Sequence, residues 1–125
     1  MIPLDAQFAV LREAYPNADL TKLPNGAAII TLPDVPLPPG WSKQSLKVRF
    51  LAPIDYPMAT PDCFWVDADL RLSNGGMPHA TNMQPIPDTN ESLLWVSWHV
   101  GKWNPNRDNL ATYAKVVERR LKEVR

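Results

Sequence analysis

Ser97 and His99 stand two residues apart in Leu93-Leu94-Trp95-Val96-Ser97-Trp98-His99. In an extended segment that spacing puts both side chains on one face, where the imidazole can take the hydroxyl proton and activate an otherwise weak nucleophile. The same spacing also describes a plain strand, with Ser97 and His99 as the polar face opposite Val96 and Trp98. A second polar pair lies in Pro78-His79-Ala80-Thr81-Asn82. There the Asn82 amide can donate to an oxyanion, or else His79 and Asn82 cap turns after Gly75-Gly76-Met77. Cys63 is the chain's one cysteine. Its neighbours Phe64 and Val66 suggest core packing, and burial without a basic partner raises a thiol pKa. Two histidines and one cysteine, scattered along the chain, are too few for a structural zinc site. No metal and no cofactor is expected.

Composition narrows the class of protein around these residues. The 125 residues are 45% hydrophobic and 21% charged, with five tryptophans, which is globular rather than disordered content. A mass of 14.1 kDa fits one domain over residues 1–125. Fourteen prolines against five glycines exclude a flexible Gly-rich linker. Thirteen basic residues cancel thirteen acidic ones, so no global field steers the chain to nucleic acid or an anionic membrane, and neither is expected as a partner. The densest basic run, Lys115, Arg119, Arg120, Lys122 and Arg125, is broken by Glu118 and Glu123 and reads as a solvated helix face. A lone cysteine fits a reducing cytoplasm; no apolar run reaches bilayer length, and no signal peptide is expected.

The elements that must hold the polar residues are legible in outline. Leu4, Phe8, Leu11 and Tyr15 recur at helical spacing until Pro16 ends the pattern. Ala27 to Leu32 follows the Pro24-Asn25-Gly26 turn as a strand, and Leu46, Val48 and Phe50 alternate with Lys47 and Arg49 as a half-buried one. Pro33, Pro36, Pro38 and Pro39 between them fit a loop or an edge. Cys63 to Val66 is a third strand, and Asp67 to Glu91 reads as a long, functionally suggestive loop. Leu93 to Val100 is a short apolar segment. Leu110, Tyr113, Ala114, Val117, Leu121 and Val124 form the apolar stripe of a final helix, with Asn104 as its cap and Pro105 at its first position. Strands grouped between terminal helices predict an α+β fold with an antiparallel meander sheet.

Three strings, taken in order, resemble the ubiquitin-conjugating enzyme (UBC) fold and its divergent bacterial branch, prokaryotic family E. They are Tyr56-Pro57 with Pro61-Asp62-Cys63-Phe64, then Trp103-Asn104-Pro105, then the closing helix. Leu70 to Pro78 and the Trp-rich stretch Trp95 to Trp103 fit the bacterial branch, and the resemblance runs over about residues 4 to 124. It implies a UBC-like fold with an N-terminal helix, a long active-site-type loop and a C-terminal helix packed on the sheet. The C-terminal helices of longer conjugating enzymes would be missing. It also implies two partners, a ubiquitin-activating-type enzyme and a ubiquitin-like protein whose C-terminus the chain would accept. Conjugating enzymes carry that C-terminus on a cysteine shortly before the Trp-x-Pro string, and Glu91 to Lys102 contains none. The resemblance therefore leaves two expectations. In one, Ser97 carries an oxyester, with His99 as base and His79 and Asn82 standing where a His-Pro-Asn motif would lie. In the other, the chain is a catalytically silent UBC-fold adaptor. Trp65 and Trp103 are expected in the core, while Trp95 and Trp98 suit either core or partner surface.

Overall fold

The computed structural model describes residues 3–87 and 89–125. Helix α1 spans Leu4–Ala14, six strands follow as β1 Asp19–Lys22, β2 Ala28–Pro36, β3 Ser45–Ala52, β4 Phe64–Val66, β5 Thr81–Pro85 and β6 Ser92–Val96, and helix α2 spans Leu110–Lys122. One sheet has the order β1-β2-β3-β4-β6-β5, with every neighbouring pair antiparallel. This is the expected α+β arrangement, with six strands in place of about three. The long segment from Asp67 to Glu91 is not a structureless loop, because it folds back as β5 to pair with β6.

Alternation sorts the sheet into two faces. Leu46, Val48 and Phe50 of β3 point inward with Phe64, Val66, Leu94 and Val96, and Leu11, Tyr113, Val117 and Leu121 of the helices close over them. Phe50 and Tyr113 stack at a tilt with ring centroids 4.9 Å apart. The opposite face carries a smaller cluster of Ile29, Trp65 and Ile86 flanked by Leu51, Leu93 and Trp95. Trp65 is thus buried as expected, though on the face without a helix, while Trp103 is only half-buried. Pro33 and Pro36 fall inside β2, not in a loop; a register shift between Leu32 and Val35 accommodates Pro33, and Pro36 ends the strand opposite Ser45.

Tertiary bonds fix the helices. The buried Gln7 side chain of α1 accepts from the Leu110 N–H at the start of α2, and the Tyr56 hydroxyl also donates to it. That meets one of the amide donors a helix start leaves free. Helix α2 begins at Leu110, not beside Pro105. Asn109 is its cap, accepting from the Thr112 N–H at 3.0 Å while Thr112 Oγ1 accepts from the Asn109 N–H at 3.1 Å. Asn104 is diverted into its own turn, where its carbonyl accepts from Arg107 and Asp108 and its side chain from the Asn106 N–H. The two family strings touch: Trp103 Nε1 donates to the Pro57 carbonyl at 2.8 Å, and its ring lies 6.0 Å from that of Tyr56.

Candidate functional site

The ladder between β4 and β6 pairs Phe64 with Val96 and ends there. Beyond it the chain stays close. The Cys63 N–H donates to the Trp98 carbonyl at 3.1 Å, and on the other side the Ser97 N–H donates to the Ala80 carbonyl at 2.9 Å. Residues 97 to 99 are therefore held between the start of β4 and the residue preceding β5, so only Ser92–Val96 of the expected apolar segment is strand. Cys63 lies just outside β4 with φ +62, a left-handed conformation uncommon for a residue with a Cβ. From beneath, the Tyr113 hydroxyl of α2 donates to the Cys63 carbonyl at 2.8 Å.

Four side chains converge at this point. His99 Nδ1 is hydrogen-bonded to the Asp62 carboxylate, with both side chains more than half exposed, at 67% and 56%. Cys63 is 2% exposed. Its Sγ, a ring nitrogen of His99 and a carboxylate oxygen of Asp62 all lie within 4.8 Å of one another. The half-buried Ser97 side chain lies beside the thiol. Burial pushes the Cys63 thiol up; the neighbouring Asp62 charge acts the same way, while the Trp98 backbone and the Ser97 hydroxyl act against it.

The structure thus brings Ser97 and His99 to one site around Cys63, and pairs His99 with Asp62. Asn82 sits on edge strand β5 opposite Trp95, exposed and on the face that carries Trp65. His79 is exposed as well, and its carbonyl accepts from Arg120 at 2.9 Å.

Arg120 departs from the expected solvated face, being 1% exposed. Its guanidinium donates to the carbonyls of His79, Glu123 and Arg125 and lies over the Trp98 ring, 5.3 Å from the centroid. Burial lowers its pKa, with Arg125 acting in the same direction. A cleft of about 460 Å³ opens between this helix and the 98–102 segment, lined by His99, Lys102, Arg119 and Arg120 among others.

Sequence reasoning did not single out Asp62, Tyr113 or Arg120 for this site. Asp62 had a visible signal, its place beside the lone cysteine. For Arg120 the signal was the helical stripe, since it follows Val116 and Val117 by four and three residues.

Terminal helices joined across one face of an antiparallel sheet, with a polar cluster at the end of β4 and a Trp-x-Pro string packed on Pro57, define a UBC-like α+β fold of the conjugating-enzyme class. The chain belongs to prokaryotic E2 family E, whose model matches residues 11–124. That family gives it a conjugating-enzyme-like role, with ubiquitin-like proteins and activating enzymes as its general partners. No curated protein and no solved structure gives a significant match. Among the described residues no helix is long and apolar enough to cross a membrane.

Proposed function

We propose that this protein accepts the C-terminus of a ubiquitin-like protein from an activating-enzyme partner and holds it as an oxyester on Ser97. The observation that carries this reading is the His99–Asp62 pair at the same point as the Ser97 hydroxyl. With Asp62 accepting the Nδ1 proton, Nε2 is the nitrogen left to act as base. Ser97 Oγ attacks the carbonyl carbon of the incoming thioester as His99 takes its proton. The tetrahedral intermediate then expels the donor thiolate, which regains a proton from the imidazolium. Asn82, on the neighbouring edge strand opposite Trp95, would supply the amide donor to the oxyanion, with His79 in the turn before that strand. The adjoining cleft gives the extended tail of the ubiquitin-like protein room to lie. The setting is a reducing cytoplasm, and residues 1–125 act as one UBC-like unit.

The test is to mix the protein with its activating partner, ATP and the ubiquitin-like protein. The expected product is an adduct that survives reductant, is cleaved by alkali, disappears in Ser97→Ala and persists in Cys63→Ala. A reductant-sensitive adduct lost in Cys63→Ala would overturn it.

The near-complete burial of Cys63 favours a second reading, a catalytically silent adaptor that binds the activating enzyme or the ubiquitin-like protein. Its signature is a stable complex with no adduct in the same mixture.

A further inference from the structure

Asp62 and Cys63 are adjacent, and in an extended strand adjacent side chains point to opposite faces. The left-handed backbone at Cys63 breaks that alternation. Both side chains then meet His99, 37 residues from Asp62 along the chain. Strained backbone of this kind persists only where the surroundings over-determine it. Here the Cys63 N–H is held by Trp98 and its carbonyl by Tyr113.

The result is one sulfur, one imidazole nitrogen and one carboxylate oxygen within 4.8 Å of one another. Four-coordinate zinc has bond lengths of about 2.0–2.3 Å, which puts neighbouring ligand atoms about 3.4–3.7 Å apart. Seating the ion takes rotations of the exposed His99 and Asp62 side chains, which exchange their hydrogen bond to each other for bonds to the metal. Cys63, the buried ligand, is the one whose backbone is already held on both sides. We propose that Asp62, Cys63 and His99 form a binding site for a single divalent cation of the zinc class.

The donor set chooses the metal. A thiolate and an imidazole suit zinc or cobalt, whereas magnesium and calcium take oxygen ligands. Three protein ligands leave a fourth position for water, the open arrangement of catalytic rather than structural zinc sites. Exposed Asp62 and His99 give the ion an entry path from solvent, while Cys63 closes the inner end. Binding replaces the Cys63 S–H bond by a sulfur–metal bond and releases that proton to solvent, with no change of oxidation state. The site shares His99 and Asp62 with the oxyester reading but does not rest on it. If both hold, metal and substrate compete for the same imidazole.

The test needs neither activating enzyme nor ubiquitin-like protein. The whole chain, stripped of metal by a chelator and kept reduced with a phosphine, is titrated with Co2+. A near-ultraviolet thiolate-to-cobalt charge-transfer band should saturate at one equivalent, together with visible bands of a four-coordinate ion. Zn2+ should displace it stoichiometrically, and excess Mg2+ should not. His99→Ala and Asp62→Asn should each weaken binding by about tenfold or more, and Cys63→Ala should abolish the band. The two exposed-ligand variants decide the matter even where Cys63→Ala fails to fold. Absence of a charge-transfer band, a titration that does not saturate near one equivalent, or a band unchanged in both His99→Ala and Asp62→Asn overturns the proposal.

Discussion

The Tyr113 hydroxyl of helix α2 donates to the carbonyl of Cys63 at 2.8 Å, so the helix that closes the core also holds the backbone on which the polar cluster turns. Tyr113→Phe deletes the donor and leaves a buried carbonyl without a partner. Such a loss costs about 1–3 kcal/mol. Urea unfolding should show the midpoint falling by that equivalent, and an unchanged midpoint would mean water replaces the hydroxyl at no cost.

Alkali should destabilise the fold in two stages. Burial raises the Cys63 thiol in the native state, and raises the Tyr113 and Tyr56 phenols as well. The unfolded thiol ionises near pH ~8.5 and the unfolded phenols near ~10, so above each value the unfolded chain releases a proton that the folded one keeps. Stability is therefore full below pH ~8.5 and declines as pH rises toward the native values. Urea midpoints between pH 7 and 10.5 measure this. Cys63→Ala should remove the first decline and leave the second.

Arg120→Met should cost at least about 2 kcal/mol, because hydrogen bonds to a charged group are worth about 1.5–3 kcal/mol and this guanidinium serves three carbonyls. Arg120→Lys should recover little, since one ammonium cannot reproduce the planar fork. Thermal unfolding of both variants gives the comparison, and full rescue by lysine would contradict it.

Two glycines separate backbone strain from crowding. Gly40 has φ +108, and a Cβ there would meet Val124 Cγ1 at 2.7 Å, whereas Gly75 has φ +90 with nothing within 4 Å of an added Cβ. Gly75→Ala should lose about 1–2 kcal/mol from the left-handed backbone alone. Gly40→Ala should lose clearly more, read as the difference between the two melting temperatures.

The start of α2 can be tested by alanine at each asparagine. Asn109→Ala should cost about 1 kcal/mol and reduce helicity, since it removes the capping box. Asn104→Ala should leave the circular-dichroism signal of the helix unchanged, because among the described residues its side chain serves the Asn106 N–H alone.

That choice between asparagines shows where sequence pattern stops being informative. Asn104 before Pro105 and Asn109 three residues before Thr112 are both sound helix starts. The Asp108 carboxylate, accepting from the Asn104 N–H at 2.7 Å, closes a separate turn at the first. Strand β3 and the stripe of α2 were legible because each buries one face and exposes the other. Strand β5 was not. It is an edge strand whose Asn82, Met83 and Pro85 are all exposed, so no alternation marks it. The polar cluster was half legible: Ser97 and His99 share a local spacing, whereas the approach of Asp62 depends on a left-handed residue that no composition signal announces.

Both borders of the sheet are made unsuitable for extension by a neighbouring chain. Strand β1 has four residues and carries Asp19 and Lys22 at its ends, while β5 terminates in Pro85, which has no N–H to offer. Short, charged or proline-bearing borders discourage edge-to-edge association and the aggregation that follows from it. At the two places where an antiparallel sheet is most open to fibril growth, the borders of this one disfavour it.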